Sequence, residues 1–380
     1  MPVLSTVGAM AARGFGWLFK AAGGGGSKLY AWGNNAYGQL GQGNTTNRSS
    51  PVQIGSVADW ANGVSLGDIA TLAIKSTGSL WSIGYNGQGQ LGLGDTTSRS
   101  SPVQVGALTT WASIISGAQE SYNAGAIKTD GTLWTWGNND NGQLGLGNTT
   151  NRSSPVQVGA DTNWDTVWAG AWFMLARKTN GTIWSWGGYF DGALGQGSSP
   201  VSRSSPVQIG ALTDWSSVSA GRNFSGGITT SGTLWMWGGN AYGQLGQEDT
   251  TNYSSPVQVG ALTDWSKIST GYSHCLAVKT NGTLWAWGQN NQGQLGLGDT
   301  VNRSSPVQVG ALTTWAIQCA GYVASFVIKT DGTLWAWGYN GFGMLGIGNT
   351  TARSSPVQVG SNTNWLAVSS GSDHTVALTS

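Results

Sequence analysis

The sequence predicts an all-β fold: a seven-bladed β-propeller of four-stranded antiparallel blades, closed by pairing of the N- and C-terminal strands. Three observations predict it. First, a sentence of the form Gly-Thr-Leu-Trp-Ala-Trp-Gly, a glycine-rich loop and Ser-Ser-Pro-Val-Gln recurs seven times, and Pro51, Pro102, Pro155, Pro206, Pro256, Pro306 and Pro356 are separated by 51, 53, 51, 50, 50 and 50 residues. Units of that length cannot bury their apolar faces alone and pack in a ring. Second, each unit carries four short strand signals. Third, the chain begins and ends in the middle of a unit.

The unit from Asp264 to Gly310 shows the four strands in order. Trp265-Ser-Lys-Ile-Ser reads as the first, and His274 to Lys279 as the second. Thr280-Asn281-Gly282 is a hairpin turn, because Asn-Gly accepts the positive φ angles of tight two-residue loops. The third strand, Leu284 to Gly288, alternates so that Trp285 and Trp287 face one way and Leu284 the other. Ser304 to Val309 supplies an outer strand, where proline is tolerated because an edge strand need not donate every hydrogen bond. The last copy stops after two strands at His374 to Ser380, and the first starts with a third strand at Lys28 to Gly33. These two pieces are expected to complete one shared blade and remove the open sheet edges.

Composition narrows the rest. The 380 residues hold 62 glycines and 22 tryptophans, and the tryptophans argue for a folded chain in spite of the glycine. With a net charge of +1 and only 17 scattered Lys and Arg residues, nucleic acid is not expected as a partner. No apolar stretch is long enough for a membrane span. Cys275 and Cys319 read as small buried residues with free thiols, although pairing is not excluded by sequence, and no metal-ligand spacing is present. No cofactor is expected.

Trp60, Trp111, Trp164, Trp215, Trp265, Trp315 and Trp365 occupy one repeat position, and Trp81, Trp134, Trp184, Trp235, Trp285 and Trp335 another, with Tyr30 in the first unit. Such repetition fits blade packing better than a sugar-binding surface. The recurring Arg48, Arg99, Arg152, Arg203, Arg303 and Arg353, with Tyr253 as the exception, are expected to bond loop carbonyls or stack on tryptophan. Asn35, Asn86, Asn139, Asn240, Asn290 and Asn340 read as loop-fixing residues, and Asp95, Asp249 and Asp299 as turn caps.

With Gly-x-Asn-x-x-Gly-Gln-Leu-Gly, the following Ser-Pro-Val-Gln-Val and the Gly371 to Leu378 remnant in view, the chain resembles the regulator of chromosome condensation repeat family over Lys28 to Ser380. The resemblance implies a seven-bladed propeller that works through loop contacts on one face. Members of that family include a nuclear exchange factor for a small GTPase that docks on nucleosomes, and bacterial inhibitors of β-lactamases. No basic tail or acidic loop cluster of the exchange factor carries over to this sequence.

Loops after the first and third strands of a blade emerge on one face, and those after the second and fourth on the other. The second set is monotonous. The first set collects Tyr37, Tyr85, Tyr122, Trp172, Tyr189, Phe190, Asp191, Arg222, Tyr242, Tyr272, Tyr322, Tyr339 and Phe342. Unit-specific aromatics with occasional charges are the composition of a protein or glycan contact surface. Catalysis is not expected: His274 and His374 share one repeat position on different blades, with no evident nucleophile or carboxylate beside them.

Residues 1–26 belong to no blade, so the chain divides into a leader at 1–26 and a propeller at 27–380. The leader lacks the pattern of a secretion signal. It ends in a glycine tether and carries an apolar cluster, Phe15, Trp17, Leu18 and Phe19, expected to anchor the chain in a larger assembly. Its opening resembles those of bacteriophage virion appendage proteins. The resulting expectation is a non-catalytic display module in a tail or capsid, located in a virion or outside the cell and otherwise in the cytoplasm, touching a host surface or neighbouring subunits. The alternatives are a soluble inhibitor or regulator of a partner protein, including one like a nucleotide-exchange factor, and an enzyme that uses the propeller channel.

Overall fold

The computed structural model describes residues 26–116, 122–197 and 201–380, with the side chains of residues 61 and 62 excepted. The leader cluster at Phe15 to Phe19 therefore lies outside the described residues. The strands number β1 to β28 in chain order and form seven antiparallel sheets of four. Six sheets are continuous in sequence: blade 1 at residues 60–104, blade 2 at 111–157, blade 3 at 164–208, blade 4 at 215–258, blade 5 at 265–308 and blade 6 at 315–358. Blade 7 is the composite. Its order is β2 (Arg48–Gln53), β1 (Lys28–Gly33), β28 (His374–Thr379) and β27 (Trp365–Ser370). The closing register runs from Lys28 opposite Thr379 to Gly33 opposite His374 without a break.

Tryptophan holds blade to blade. The second tryptophan of each third strand is fully buried, and its indole N–H donates to a loop carbonyl of the preceding blade: Trp136 to Gln90 at 2.9 Å, Trp186 to Gln143 at 2.9 Å, Trp287 to Gln244 at 2.9 Å, and Trp32 of blade 7 to Met344 of blade 6 at 2.8 Å. In blade 1, where Ile83 replaces this tryptophan, the Thr71 hydroxyl takes the corresponding Gln39 carbonyl at 3.1 Å. A burial of about 150–250 Å² per ring and a hydrogen bond worth about 1 kcal/mol repeat around the toroid.

The glycine-rich loop explains the constancy of Ser-Ser-Pro. Gly43 N–H donates to the Ser100 carbonyl of the next blade at 2.8 Å, and Gly298 repeats the contact with Ser354 at 2.8 Å. At Gly38 the approach is so close that a Cβ would lie 2.5 Å from the Ser100 Cα. Around the axis, hydroxyls of Ser65, Ser219, Ser269 and Ser369 accept the N–H of Ser116, Thr270, Ala320 and Leu66 in the next blade at 2.9–3.1 Å. The axis itself is filled by Leu66, Ile115, Trp168 and their neighbours, leaving about 10 Å³, room for one water at most.

Candidate protein-binding face

In blades 1 and 3 to 7 the loop after the first strand is a tight connection closed by a glycine. Gly271 N–H donates to the His274 carbonyl at 2.8 Å, which pushes the two intervening residues out of the sheet. The first tip position reads Asp68, Ala171, Arg222, Tyr272, Tyr322 and Ser372 in blades 1, 3, 4, 5, 6 and 7. Neighbouring tips touch. The Tyr272 and Tyr322 rings lie 4.3 Å apart, and the Arg222 guanidinium sits 4.8 Å from the Tyr272 ring centroid. Backbone bonds stitch the tips together, Ala171 N–H to Arg222 O at 3.1 Å and Tyr272 N–H to Gly321 O at 3.2 Å.

The opposite arc is acidic. The Ser372 hydroxyl donates to Asp68, and burial together with the neighbouring Asp68 charge pushes the Asp373 carboxyl above its ordinary pKa, against a hydrogen bond from Asn34. Thus the inner ring is polar across its diameter, with two carboxylates on blades 1 and 7 and Arg222 on blade 4. Among the described first-strand tips, only Asp68 and Asp373 carry acid.

Loops after third strands form an outer ring. Tyr37, Tyr85 and Tyr122 make an edge-to-face chain over blades 7, 1 and 2, with centroids 4.9 and 5.7 Å apart. Trp172 and Phe190 pair within blade 3 at 6.4 Å. Beside them, Asp191 holds a left-handed φ of 54°, rare for a residue with a side chain, while its carboxylate accepts from the amides of Asn223 at 3.2 Å and Asn252 at 3.3 Å in blade 4. Such strain persists only where the surroundings hold it, and it gathers at functional sites. Tyr37, Phe190 and Tyr242 are exposed, and Phe342 is half-buried. Tyr189 and Tyr339 also pack against interblade cores. Tyr339 folds over its own loop, where a Cβ on Gly341 would lie 2.0 Å from its hydroxyl, so any larger residue there would displace the ring.

The remaining polar positions have structural partners. The Asn290 amide donates to the Asp299 carbonyl at 3.1 Å, and its oxygen accepts the Leu295 N–H at 2.9 Å, as expected of a loop-fixing residue. Asp299 caps Val301 N–H at 2.9 Å and pairs with Arg303 at 2.6 Å; in blade 4 the Tyr253 hydroxyl meets Asp249 at 2.9 Å instead. The arginines thus bond loop groups, Arg303 reaching the Val301 carbonyl at 2.7 Å. Lysines are found over the tryptophans. Lys75, Lys128, Lys178, Lys279 and Lys329 each place the ammonium 3.6–5.2 Å from two ring centroids. That pattern was legible as a Lys ending each of these second strands, but it went unread.

His274 and His374 are fully buried, and desolvation lowers each pKa to about 3, so both rings are neutral at physiological pH. Their Nε2 atoms face Ser325 at 3.0 Å and Thr71 at 3.2 Å. Phe173 and Phe224 fill the same position in blades 3 and 4, which marks it as a packing position. Cys275 and Cys319 are free and buried, with thiols that burial holds well protonated. Among the described residues no group of three or more His, Cys, Asp or Glu is placed to hold a metal, and no helix is long and apolar enough to cross a membrane.

A sequence profile described as the RCC1-like domain matches residues 28–377, nearly the whole described ring. The chain belongs to the RCC1-like domain family. Among curated relatives it is 36% identical over 135 residues to the X-linked retinitis pigmentosa GTPase regulator of Canis lupus familiaris, covering 35% of this chain and 14% of that protein. It is 37% identical over 132 residues to the ultraviolet-B receptor UVR8 of Arabidopsis thaliana, covering 34% of this chain and 30% of the receptor. The match therefore spans less than a third of either relative. Human WBSCR16 superposes with a TM-score of 0.82 at 21% identity, covering 93% of this chain and 98% of that one. Prp20p of Saccharomyces cerevisiae does so with a TM-score of 0.84 at 18% identity, covering 96% and 93%. Those two likenesses establish the RCC1-like propeller architecture. The virion assignment draws no support from these relatives.

Proposed function

We propose that this RCC1-like propeller is a non-catalytic regulator module that binds a protein partner through the face carrying the first- and third-strand loops. The observation that carries the reading is the sector over blades 3 to 6. There Trp172, Phe190, Asp191, Arg222, Tyr272 and Tyr322 depart from the repeat, lie at or near the surface, and are held by contacts within blade 3 or between blades. Aromatic and arginine anchors held rigid before binding are what a protein hot spot needs, because little side-chain freedom remains to be lost. Prp20p, which shares only the fold, has been characterised for binding Gsp1p and histones, and a GTPase regulator is among the sequence relatives. Both are in keeping with a regulator more than with a display protein.

The test compares two faces of one molecule. Cross-linking of the full chain in its native extract, followed by mass spectrometry, is run on the unaltered protein, on a Phe190→Ala/Arg222→Ala/Tyr272→Ala variant and on a Leu212→Ser/Leu262→Ser variant of the opposite face. One partner should be recovered by the first and third proteins and lost by the second. Equal recovery by all three would overturn the assignment of the face.

A further inference from the structure

The face opposite the aromatic loops repeats a different device. In blade 5 the Lys279 ammonium lies 4.8 Å from the Trp265 ring and 4.5 Å from the Trp285 ring, and pairs with Asp264 at 3.2 Å. Blade 1 builds the same cage from Lys75, Trp60, Trp81 and Asp59, with the ion pair at 2.9 Å. Blade 3 uses Lys178, Trp164, Trp184 and Asp161. In each case the lysine sits opposite the first-strand tryptophan in the ladder, as in Trp265 with Lys279.

Blade 4 keeps the cage and lacks the lysine. Its register partner of Trp215 is Thr229, whose hydroxyl is turned to Ser231 at 2.8 Å and Thr233 at 2.6 Å. Yet Trp215 and Trp235 stand 6.5 Å apart at 75°, against 6.0 Å and 76° for Trp265 and Trp285, so the pair has not collapsed onto the missing side chain. Asp214 occupies the place of Asp264, and its Oδ1 is buried with no hydrogen-bond partner. The same oxygen of Asp264 is likewise unpartnered while its Oδ2 holds Lys279, so Asp214 has everything its counterpart has except the cation. The nearby Arg177 is already committed to the Trp215 and Ser216 carbonyls, at 2.9 and 2.7 Å, and to Asp165. Blade 7 also carries threonine, Thr379, opposite Trp365, but there Asn364 replaces the acid and donates to the Ser380 carbonyl at 2.9 Å, so no charge is left to answer.

We infer that Trp215, Trp235 and Asp214 form an alkylammonium-binding cage that this chain does not fill itself. Two indole faces attract a cation through their quadrupoles, and the carboxylate supplies the counter-charge. Asp214 and Trp235 are each half-exposed, so the cage opens to the surface beside the hairpin turn at Thr230 to Gly232. The ligand class is a primary or methylated alkylammonium, presented by a lysine side chain of a polypeptide or as a free amine. The cage lies away from the aromatic loops, so its fate is independent of the partner assigned to them.

The test uses the full chain and follows indole N–H resonances while n-butylammonium, tetramethylammonium, N-acetyl-lysine-N-methylamide or neutral n-butanol is added. The ammonium probes should saturate at about 1 to 10 mM and bind roughly tenfold better than n-butanol. Thr229→Lys, which loads the cage from within, should abolish the response and raise the thermal midpoint. Asp214→Asn should weaken binding roughly threefold to tenfold, and Trp235→Leu should remove it even if the lysine variant folds poorly. Tighter binding of the lysine amide than of n-butylammonium assigns a polypeptide source, and the reverse assigns a free amine; either supports the cage. Equal responses from the unaltered protein and the Thr229→Lys or Trp235→Leu variant, or equal binding of n-butanol, would overturn it.

Discussion

Blades 4 and 5 are neighbours cut from one template, and they keep what joins them while differing in several of the side chains around it. Trp237 and Trp287 are both fully buried and donate to the preceding blade at 3.0 and 2.9 Å. Around that shared frame, blade 5 has His274, Lys279, Arg303 and Gly298 where blade 4 has Phe224, Thr229, Tyr253 and Glu248. The constant part is the set of contacts that no blade can make alone. Polar fittings vary because each closes locally, Tyr253 reaching Asp249 as Arg303 reaches Asp299.

The largest effect should come from the constant part, and it should be the same in both blades. Trp237→Ala and Trp287→Ala each remove a buried indole and the stronger of two donors to a carbonyl of the blade before, leaving Ala193 O to the Ser225 hydroxyl and Gln244 O to the Cys275 thiol, each at 3.3 Å. Each is expected to cost about 3 to 5 kcal/mol in denaturant unfolding. Unequal costs, differing by more than about 2 kcal/mol, would break the claim that the frame is uniform.

Next in size is the contrast at the packing position. Burial lowers the His274 pKa from 6.5 to about 3, so between those values the unfolded chain binds a proton that the folded chain does not. Stability is therefore intact above the unfolded pKa and falls as pH drops through this window, by about 1.4 kcal/mol per pH unit for this residue. His274→Phe copies Phe224, and Ser325 keeps its bond to the Gln294 carbonyl at 2.7 Å. The variant should lose this share of the acid sensitivity, about 3 kcal/mol at pH 4, in urea titrations from pH 7 downward. An unchanged slope would show that the ring charges without leaving the fold.

Smaller again is the lysine. Lys279→Thr turns the blade 5 cage into the blade 4 form, and Lys329→Thr does the same in blade 6, where Thr314 stands in place of an acid. Losses of about 1 to 2 kcal/mol are expected for each, with about 0.5 kcal/mol more for Lys279 because the pair with Asp264 is lost as well. Equal losses would assign the whole effect to the indole faces.

The ring, its four-stranded blades and its composite closure were legible because proline spacing, Asn-Gly turns and alternating tryptophans repeat at fixed intervals. The face was legible as the place where repetition fails. What escaped was pairing across blades. Asp191 gave no sign that it meets Asn223 and Asn252, since those contacts depend on loop paths about 30 and 60 residues apart. The lysine cages escaped for the opposite reason: a planar guanidinium suits stacking on indole better than an ammonium does, yet Arg99 and Arg303 lie beside Asp95 and Asp299 and the lysines cover the rings.

The finest contrast lies in one backbone angle. At the residue that donates its N–H to the outer strand of the next blade, Gly43, Gly94, Gly147, Gly197, Gly298 and Gly348 all have positive φ, and Glu248 holds the same conformation at 66° while donating to the Ser304 carbonyl at 2.8 Å. A left-handed residue with a side chain costs about 1 to 2 kcal/mol, and Glu248 bears it because the interblade bond dictates the angle. Glu248→Gly relieves that strain but adds freedom to the unfolded chain, worth about 0.5 to 1 kcal/mol in the other direction. The net gain should be about 0.5 kcal/mol in chemical denaturation. Gly298→Glu, the reverse exchange in blade 5, should lose a similar amount, so the two variants together should return close to the starting stability. A loss in the first variant would mean that the Glu248 side chain makes a favourable contribution that outweighs its backbone strain.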